Sequence, residues 1–409
     1  MKSLLISSTF FSPRIGGISH LMSAIASALG PDQVCCLTGQ QTKGTAGDEN
    51  LGLRVYRRPA AFTGKMKYLR AAAWGAAIAE IMVRERPDIV QLASAGEGAL
   101  GLWLRRWLGL PYVVYAHGNE VLNGLEVGGQ LSRVALQQAR RVLAVSRYTA
   151  DLVQSAGVSP DRIEIVHPGC DTDYFRPLAP RLDLRQKLLG PRFQDRVILT
   201  VGALVPRKGH DMVIRALPRL NHVAPNVTYL VVGQGRYRTE LENLATNLGV
   251  RDRVVFAGRV SVDDLPHVYA LSDVFVMASR EQLDACDVEG FGLVFLEASA
   301  CAKPVVGGRS GGIPDAIVDG VTGLLVDSRD PEDISNALAR VLTDRDFASR
   351  LGQQGRSRAV DEFGWARVAD RVQGILAAAL REHTSGSRRR LMPSHPTKIS
   401  SKIHESDIT

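Results

Sequence analysis

Two kinds of hydrophobic pattern alternate along the chain. Short, nearly continuous apolar runs at 2–8, 33–38, 53–56, 89–91, 112–116, 142–145 and 163–166 read as strands. The stretches between them place apolar residues at helical spacing, as in 19–29 and 65–84. A Pro- and Arg-rich segment at 176–192 interrupts this rhythm and reads as a linker. The alternation then restarts with strands at 197–202, 227–233, 254–260 and 274–278 and a helix at 262–271. Asp319-Gly320-Val-Thr322-Gly323-Leu-Leu-Val-Asp327 reads as a hairpin-like glycine turn into a short strand. Helices rich in Ala, Leu and Arg fill 331–360, and an amphipathic helix runs from Phe363 to Leu380. Two blocks of strand–helix alternation predict an α/β protein with two doubly wound sheets.

The 409 residues exceed what one hydrophobic core organises, which agrees with two domains, 1–180 and 181–362. From about His383 the chain is rich in Ser, Pro and His around Arg388-Arg-Arg390, and 383–409 is expected to be a disordered basic tail. Hydrophobic content of 45% and charged content of 22% are those of an ordinary soluble protein. The N-terminal apolar run has no cleavage site and reads as a first strand, and no apolar stretch reaches membrane-spanning length. Five cysteines without metal-ligand spacing fit reduced thiols in the cytoplasm. A net charge of +8 favours anionic surfaces, with little weight for nucleic acid as a partner. The mix of basic and apolar positions at 65–84 is that of a core-packing helix, but also of one lying on an anionic membrane.

The chemistry concentrates in Asp287-Val-Glu289-Gly-Phe291-Gly292-Leu293-Val-Phe-Leu-Glu297. The spacing puts Glu289 in a glycine-broken loop and Glu297 two turns inside the following helix. The amides from Gly290 to Leu293 would face an anion at the helix N-terminus. Acids beside a phosphate cradle repel phosphate and suit sugar hydroxyls instead, which points to a nucleotide sugar. Gly16-Gly17 forms a second phosphate-compatible strand–helix corner, a weak signal alone. His117 follows a strand at its carboxyl end, and Ser146 caps a helix beside Arg147. Pro206-Arg207-Lys208-Gly209 offers a point charge for phosphate at another such corner. Gly233 and Gly235 begin a dinucleotide fingerprint, but Arg238 occupies the third glycine's place, so a nicotinamide site is excluded.

Taken together, Gly16-Gly17, His117-Gly, Ser146-Arg-Tyr-Thr, His167-Pro-Gly, Val205-Pro-Arg-Lys208-Gly, Glu289-Gly-Phe-Gly…Glu297 and the Gly307-to-Ala316 run resemble the retaining glycosyltransferases of family 4. The resemblance covers about residues 1–380. Within that family, bacterial phosphatidylinositol and exopolysaccharide mannosyltransferases look most similar. It implies the GT-B fold, two Rossmann-like domains facing across a cleft, with 363–381 crossing back to complete the N-terminal acceptor domain. It further implies that Gly16 and Gly17 approach the donor diphosphate, which Lys208 neutralises. His117 faces the donor sugar, Glu289 holds its hydroxyls with the Phe291, Gly292 and Leu293 amides beside it, and Glu297 takes the ribose. Backbone near Gly258–Val260 meets the base. One departure stands out: the family's arginine five residues before the lysine is Ala203 here, and adjacent Arg207 need not point into the cleft.

The expected activity is hexose transfer, with mannose as the first choice, to a lipid-linked or saccharide acceptor hydroxyl in bacterial cell-envelope polysaccharide or glycolipid synthesis. The anomeric configuration is retained, and the leaving phosphate takes the acceptor's proton. The donor, GDP-mannose or a UDP-hexose, is substrate; no cofactor is expected, and no Asp-x-Asp pair stands at a strand end to call for a metal. The enzyme is expected in the cytoplasm, peripheral on the inner face of the membrane. Two alternatives stay open: a non-catalytic nucleotide-sugar-binding subunit and a nucleotide-sugar epimerase.

Overall fold

A computed structural model describes residues 1–12, 16–40, 52–59, 67–126 and 129–391. Among these residues, thirteen strands form two all-parallel sheets. The first contains β1 (Ser3–Ser7), β2 (Val34–Gln40), β3 (Arg54–Pro59), β4 (Ile89–Leu92), β5 (Tyr112–Ala116), β6 (Arg141–Ala144) and β7 (Ile163–Ile165), in the order β3-β2-β1-β4-β5-β6-β7. The second contains β8 (Arg196–Val201), β9 (Val227–Val232), β10 (Val254–Gly258), β11 (Val274–Met277), β12 (Val305–Gly308) and β13 (Leu324–Val326), in the order β10-β9-β8-β11-β12-β13. Central strands such as β1, β4, β5, β9 and β11 are buried along their whole length, which is why they read as continuous apolar runs rather than alternating ones. Both sheets reverse their order once, between β1 and β4 and between β8 and β11. Parallel sheets of this kind take ligands at the carboxyl edge beside that reversal.

Two sequence expectations change here. The segment before β13 is no hairpin, because Leu324 to Val326 pair in parallel with Val306 to Gly308. The last helix spans Trp365–Leu391, so the chain from 383 to 391 is helical rather than disordered; residues 392–409 lie outside the described ones. Tertiary contacts override the weak helix formers there: Glu382 pairs with Arg141 and His383 with Arg140. This helix leaves the second domain at Phe363 and packs on helix Gly17–Leu29 of the first. Cys170 N donates to Phe363 O at 2.7 Å at the crossing, and Trp365 stands edge-on to His20 at 5.8 Å. The expected linker contains helix Leu182–Leu189, and Arg356 ties its approach down by donating to the carbonyls of Thr172, Phe175 and Ala300. Helix Lys67–Arg84 buries Trp74, Ala77, Ile78 and Ile81 in the first domain's core, so these apolar positions face the sheet and not a membrane. All five cysteines are buried, and none forms a disulfide.

The second domain's first corner depends on a buried histidine. Gly209 adopts φ +70°, and a Cβ there would sit 1.9 Å from the carbonyl oxygen of Ala278, so the turn admits only glycine. The next residue, His210, bonds Ala203 O through Nε2 and Tyr229 Oη through Nδ1, each at 3.1 Å. Burial is the main cause that depresses its pKa from 6.5 to about 4, with Lys208 acting in the same direction. The unfolded chain therefore binds the extra proton between pH 6.5 and 4, and stability is lost as pH falls through that window. This single group contributes about 3 kcal/mol. Chemical denaturation followed from pH 7.5 to 4 should show this slope, and His210→Gln should flatten it.

Candidate active site

The two sheets turn their carboxyl edges toward one cleft, and the loops beyond β1, β5, β8 and β11 meet in it. Gly16, with φ +156°, precedes helix Gly17–Leu29, while Gly292, with φ +92°, precedes helix Leu293–Ala300. A Cβ built on Gly17 would lie 3.7 Å from Leu293 Cδ1, so two helix N-termini from different domains abut. Each turns its N-terminal end and the positive pole of its dipole toward the same gap. Glu297 is the fifth residue of its helix, little more than one turn in rather than the expected two.

Glu289 lies in the loop just before that helix. Its Oε2 receives Lys208 Nζ at 2.6 Å and Arg207 Nη1 at 2.5 Å. Arg207 Nε also comes within 2.7 Å of Asp287 Oδ1, without hydrogen-bond alignment. Arg207 thus lies beside Lys208 on the same carboxylate, which settles the direction that the sequence left open. At Ala203, where positive charge was missing, the backbone carbonyl is held by His210. Burial raises the Glu289 carboxyl, but Lys208 and Arg207 outweigh it and hold the group below the ordinary carboxylate range. Glu289 is therefore an ionised acceptor. Glu297 moves in the opposite direction, because burial raises it more than the 2.6 Å bond from Tyr269 Oη and the charge of Lys208 lower it. The two acids are tuned apart by their surroundings.

His117 sits just past β5, largely buried, with its amide donating to Glu120 Oε1 at 2.5 Å. Its Nε2 stands 2.7 Å from Ala93 O; a carbonyl only accepts, so Nε2 carries the proton and Nδ1 remains as the ring's other polar atom. Phe291 is buried against the rings of His167 and Phe363, at 5.4 Å and 5.9 Å. Val260 follows β10 and packs partly buried at the core's margin, apart from these charged contacts. Ser146 caps helix Arg147–Ser155 by accepting from Thr149 N.

Of the residues that join the domains, Arg147 stood out in the sequence and Asn119 did not. Asn119 donates to Asp287 Oδ1 and accepts from Val288 N, both at 2.8 Å. Arg147 reaches Asp315 through its backbone N and its Nε, both at 2.6 Å. Within the second domain, Arg280 forks onto Asp211 at 3.0 Å, bracing the strand end next to Arg207. Only the position of Asn119, two residues beyond His117 at a strand's carboxyl end, could have marked it. Two Asp-x-Asp spacings exist, and both serve the backbone: Asp171 accepts from the amides of Asp173 and Tyr174, and Asp344 caps helix Arg345–Phe363. Among the described residues no group of three or more His, Cys, Asp and Glu side chains has metal-binding geometry.

Two facing Rossmann-like domains with such a cleft define a glycosyltransferase of the GT-B architecture. Residues 15–174 match the family described as Glycosyltransferase Family 4, and residues 185–358 match Glycosyl transferases group 1. The chain is 35% identical to a GDP-mannose-dependent alpha-(1-6)-phosphatidylinositol monomannoside mannosyltransferase of Mycolicibacterium smegmatis, across 91% of this chain and 98% of that protein. It is 31% identical to a GDP-mannose-dependent monoacylated alpha-(1-6)-phosphatidylinositol monomannoside mannosyltransferase of Corynebacterium glutamicum, across 93% and 99%. Among solved structures, Anabaena Alr3699/HepE in complex with UDP superimposes with a TM-score of 0.77 at 21% identity, covering 92% of this chain and all of that one. The lipopolysaccharide glycosyltransferase WaaG gives 0.65 at 20%, covering 91% and 99%. The chain belongs to the family 4, group 1 glycosyltransferases.

Gly290 is the point at which closure is most exposed to change. A Cβ there would lie 2.1 Å from His117 O in the opposite domain. Gly290→Ala must hold the two loops apart, and a displacement of this size costs roughly 100-fold in kcat/KM. The melting temperature should stay near that of the parent, because each domain's own core is untouched; parallel kinetics and calorimetry check both statements.

Proposed function

We propose that this glycosyltransferase moves mannose from GDP-mannose to a hydroxyl of a lipid-linked glycan acceptor of the phosphatidylinositol mannoside type, with retention and without a metal. The observation that carries the transfer chemistry is the junction of two helix N-termini beside the Lys208–Arg207–Glu289 cluster. A diphosphate placed between the helices meets backbone donors from both domains, with Lys208 and Arg207 adjacent, so its leaving charge is stabilised by fixed groups. Glu289, ionised and held rigidly by its two cations, is an acceptor for donor-sugar hydroxyls, and Glu297 serves the ribose. His117 closes over the sugar from the first domain.

In the reaction the acceptor oxygen attacks the anomeric carbon on the face that the diphosphate leaves. The bond from that carbon to the phosphate oxygen breaks, and the departing phosphate takes the acceptor's proton. Glu289 and Glu297 act as hydroxyl ligands rather than as an acid/base pair. Donor and acceptor choice rest on the mannosyltransferase relatives.

Membrane contact belongs to the same proposal, on a surface different from 65–84. Helix Gly98–Leu108 exposes Trp103 (44%) and Trp107 (67%), one turn apart, with Arg106 stacked on the Trp107 ring. Exposed aromatics with adjacent basic residues suit a peripheral position on an anionic bilayer. No described helix is long and apolar enough to cross one.

GDP-mannose at ~100 times its Kd should stabilise the protein by about 2.7 kcal/mol, more than UDP- or ADP-sugars do. GDP release should require acceptor lipid, survive chelation, give the anomer of the donor, and be lost in Glu289→Ala. Turnover unchanged by that substitution would refute the site; donor conversion without acceptor would mark an epimerase, and an inverted product would overturn retention. Trp103→Ala with Trp107→Ala should reduce flotation with anionic vesicles while leaving turnover of a soluble acceptor analogue intact.

A further inference from the structure

At the opposite, amino-terminal edge of the first sheet lies a feature that transfer chemistry does not use. Arg105 from helix Gly98–Leu108, Arg140 and Arg141 at the start of β6, and Arg162 just before β7 line a cavity of about 340 Å³ together with Asp161 and Glu382. β6 enters the sheet at Arg141 and delivers Ser146 and Arg147 to the cleft at its other end, so the cavity and the cleft are separated by the length of the sheet. The final helix supplies Glu382 to its lining.

Four guanidinium groups share this space with two carboxylates. Arg105 Nη1 donates to Gln138 O at 2.5 Å, and Arg162 Nη1 to Gln137 O at 2.6 Å. Arg141 forks onto Glu382, with Nη1 at 2.9 Å from Oε2 and Nη2 on Oε1, and approaches Glu164 at 3.8 Å. Arg140 Nη2 bonds His383 Nδ1 at 2.8 Å. Nδ1 accepts, so the imidazole adds no negative charge, and Asp161 takes a bond from Ser159 Oγ. These contacts occupy only part of the five N–H donors that each arginine carries. The like charges are not fully compensated: burial first, then Arg105, Arg141 and Arg162, lower the Arg140 pKa against the single opposing influence of Glu382.

We propose that this cavity is a binding site for a phosphate group, carried either by a small soluble phosphate compound or by an anionic lipid headgroup. Guanidinium forks match phosphate oxygens in pairs, and several arginines converging on one concave site are the arrangement that recognises a phosphate dianion. The volume lies within the range of small-molecule sites. The proposal goes beyond the transferase reading and stands on different residues.

The test uses the full chain, inorganic phosphate by calorimetric titration, and phosphatidylcholine vesicles with and without phosphatidylinositol. Arg105→Gln with Arg141→Gln should weaken binding roughly tenfold, as expected when charged hydrogen bonds are removed. Lys208→Ala, which alters the cleft, should leave it unchanged. Loss in the phosphate titration identifies a soluble ligand; loss only with phosphatidylinositol vesicles, with Trp103 and Trp107 intact, identifies a lipid headgroup. Binding in neither assay, binding unaffected by the arginine substitutions, or binding lost only in Lys208→Ala overturns the proposal. If the double variant melts lower than the parent, the exposed Arg105→Gln alone serves as the variant.

Discussion

A carboxylate removed from water needs compensation, and at Glu289 this requirement organises the cleft. Burial alone raises its pKa; Lys208 and Arg207 on the same oxygen reverse that shift and keep it ionised. Both cations come from the corner after β8, which Gly209 and His210 hold against β11 and Ala203. The carboxylate comes from the loop after β11, just before helix Leu293–Ala300. Neither loop can move without stranding charge in a poorly solvated space. The pair therefore fixes the position of the helix N-terminus that faces Gly16 and Gly17, and a donor enters a site that is already polarised.

The second constraint is the join between domains. It is short-range and polar: Asn119 on Asp287 and Val288, Arg147 on Asp315, and bare backbone contact at Gly290. Such contacts are strong when aligned and weak when slightly displaced, as a cleft that must open for substrates requires. By contrast, the crossing of the last helix is broad and apolar, with Val372, Leu376 and Ala379 in one core with Met22 and Ile25. One interface is built to separate and the other to stay closed.

Much of this was legible in the chain. Strands buried on both faces leave continuous apolar runs, so the two-sheet division could be read directly. Glu289 and Lys208 stood out because acid and base occur at glycine corners beside strand ends. What could not be read was juxtaposition. Asn119 meets Asp287, and Arg147 meets Asp315, each across 168 positions, and no periodicity connects them. Arg207, a candidate left open in direction by the sequence, lies beside Lys208 because the two share a 3-10 turn. The last helix was cut short because Ser, Thr and Gly weaken its propensity after Leu380, while Arg140 and Arg141 anchor it from outside the segment.

The crossing helix also has a consequence for synthesis. The first domain leaves the ribosome early, yet the helix that covers Gly17–Leu29 follows the whole second domain. At ~5–20 residues per second, the apolar face of that first helix stays uncovered for on the order of ten seconds or more. During that interval the side of the first helix that meets the last one faces solvent. The chain thus emerges as a nascent domain with a persistent sticky patch, and its demand on chaperones is set by the order in which its segments are translated.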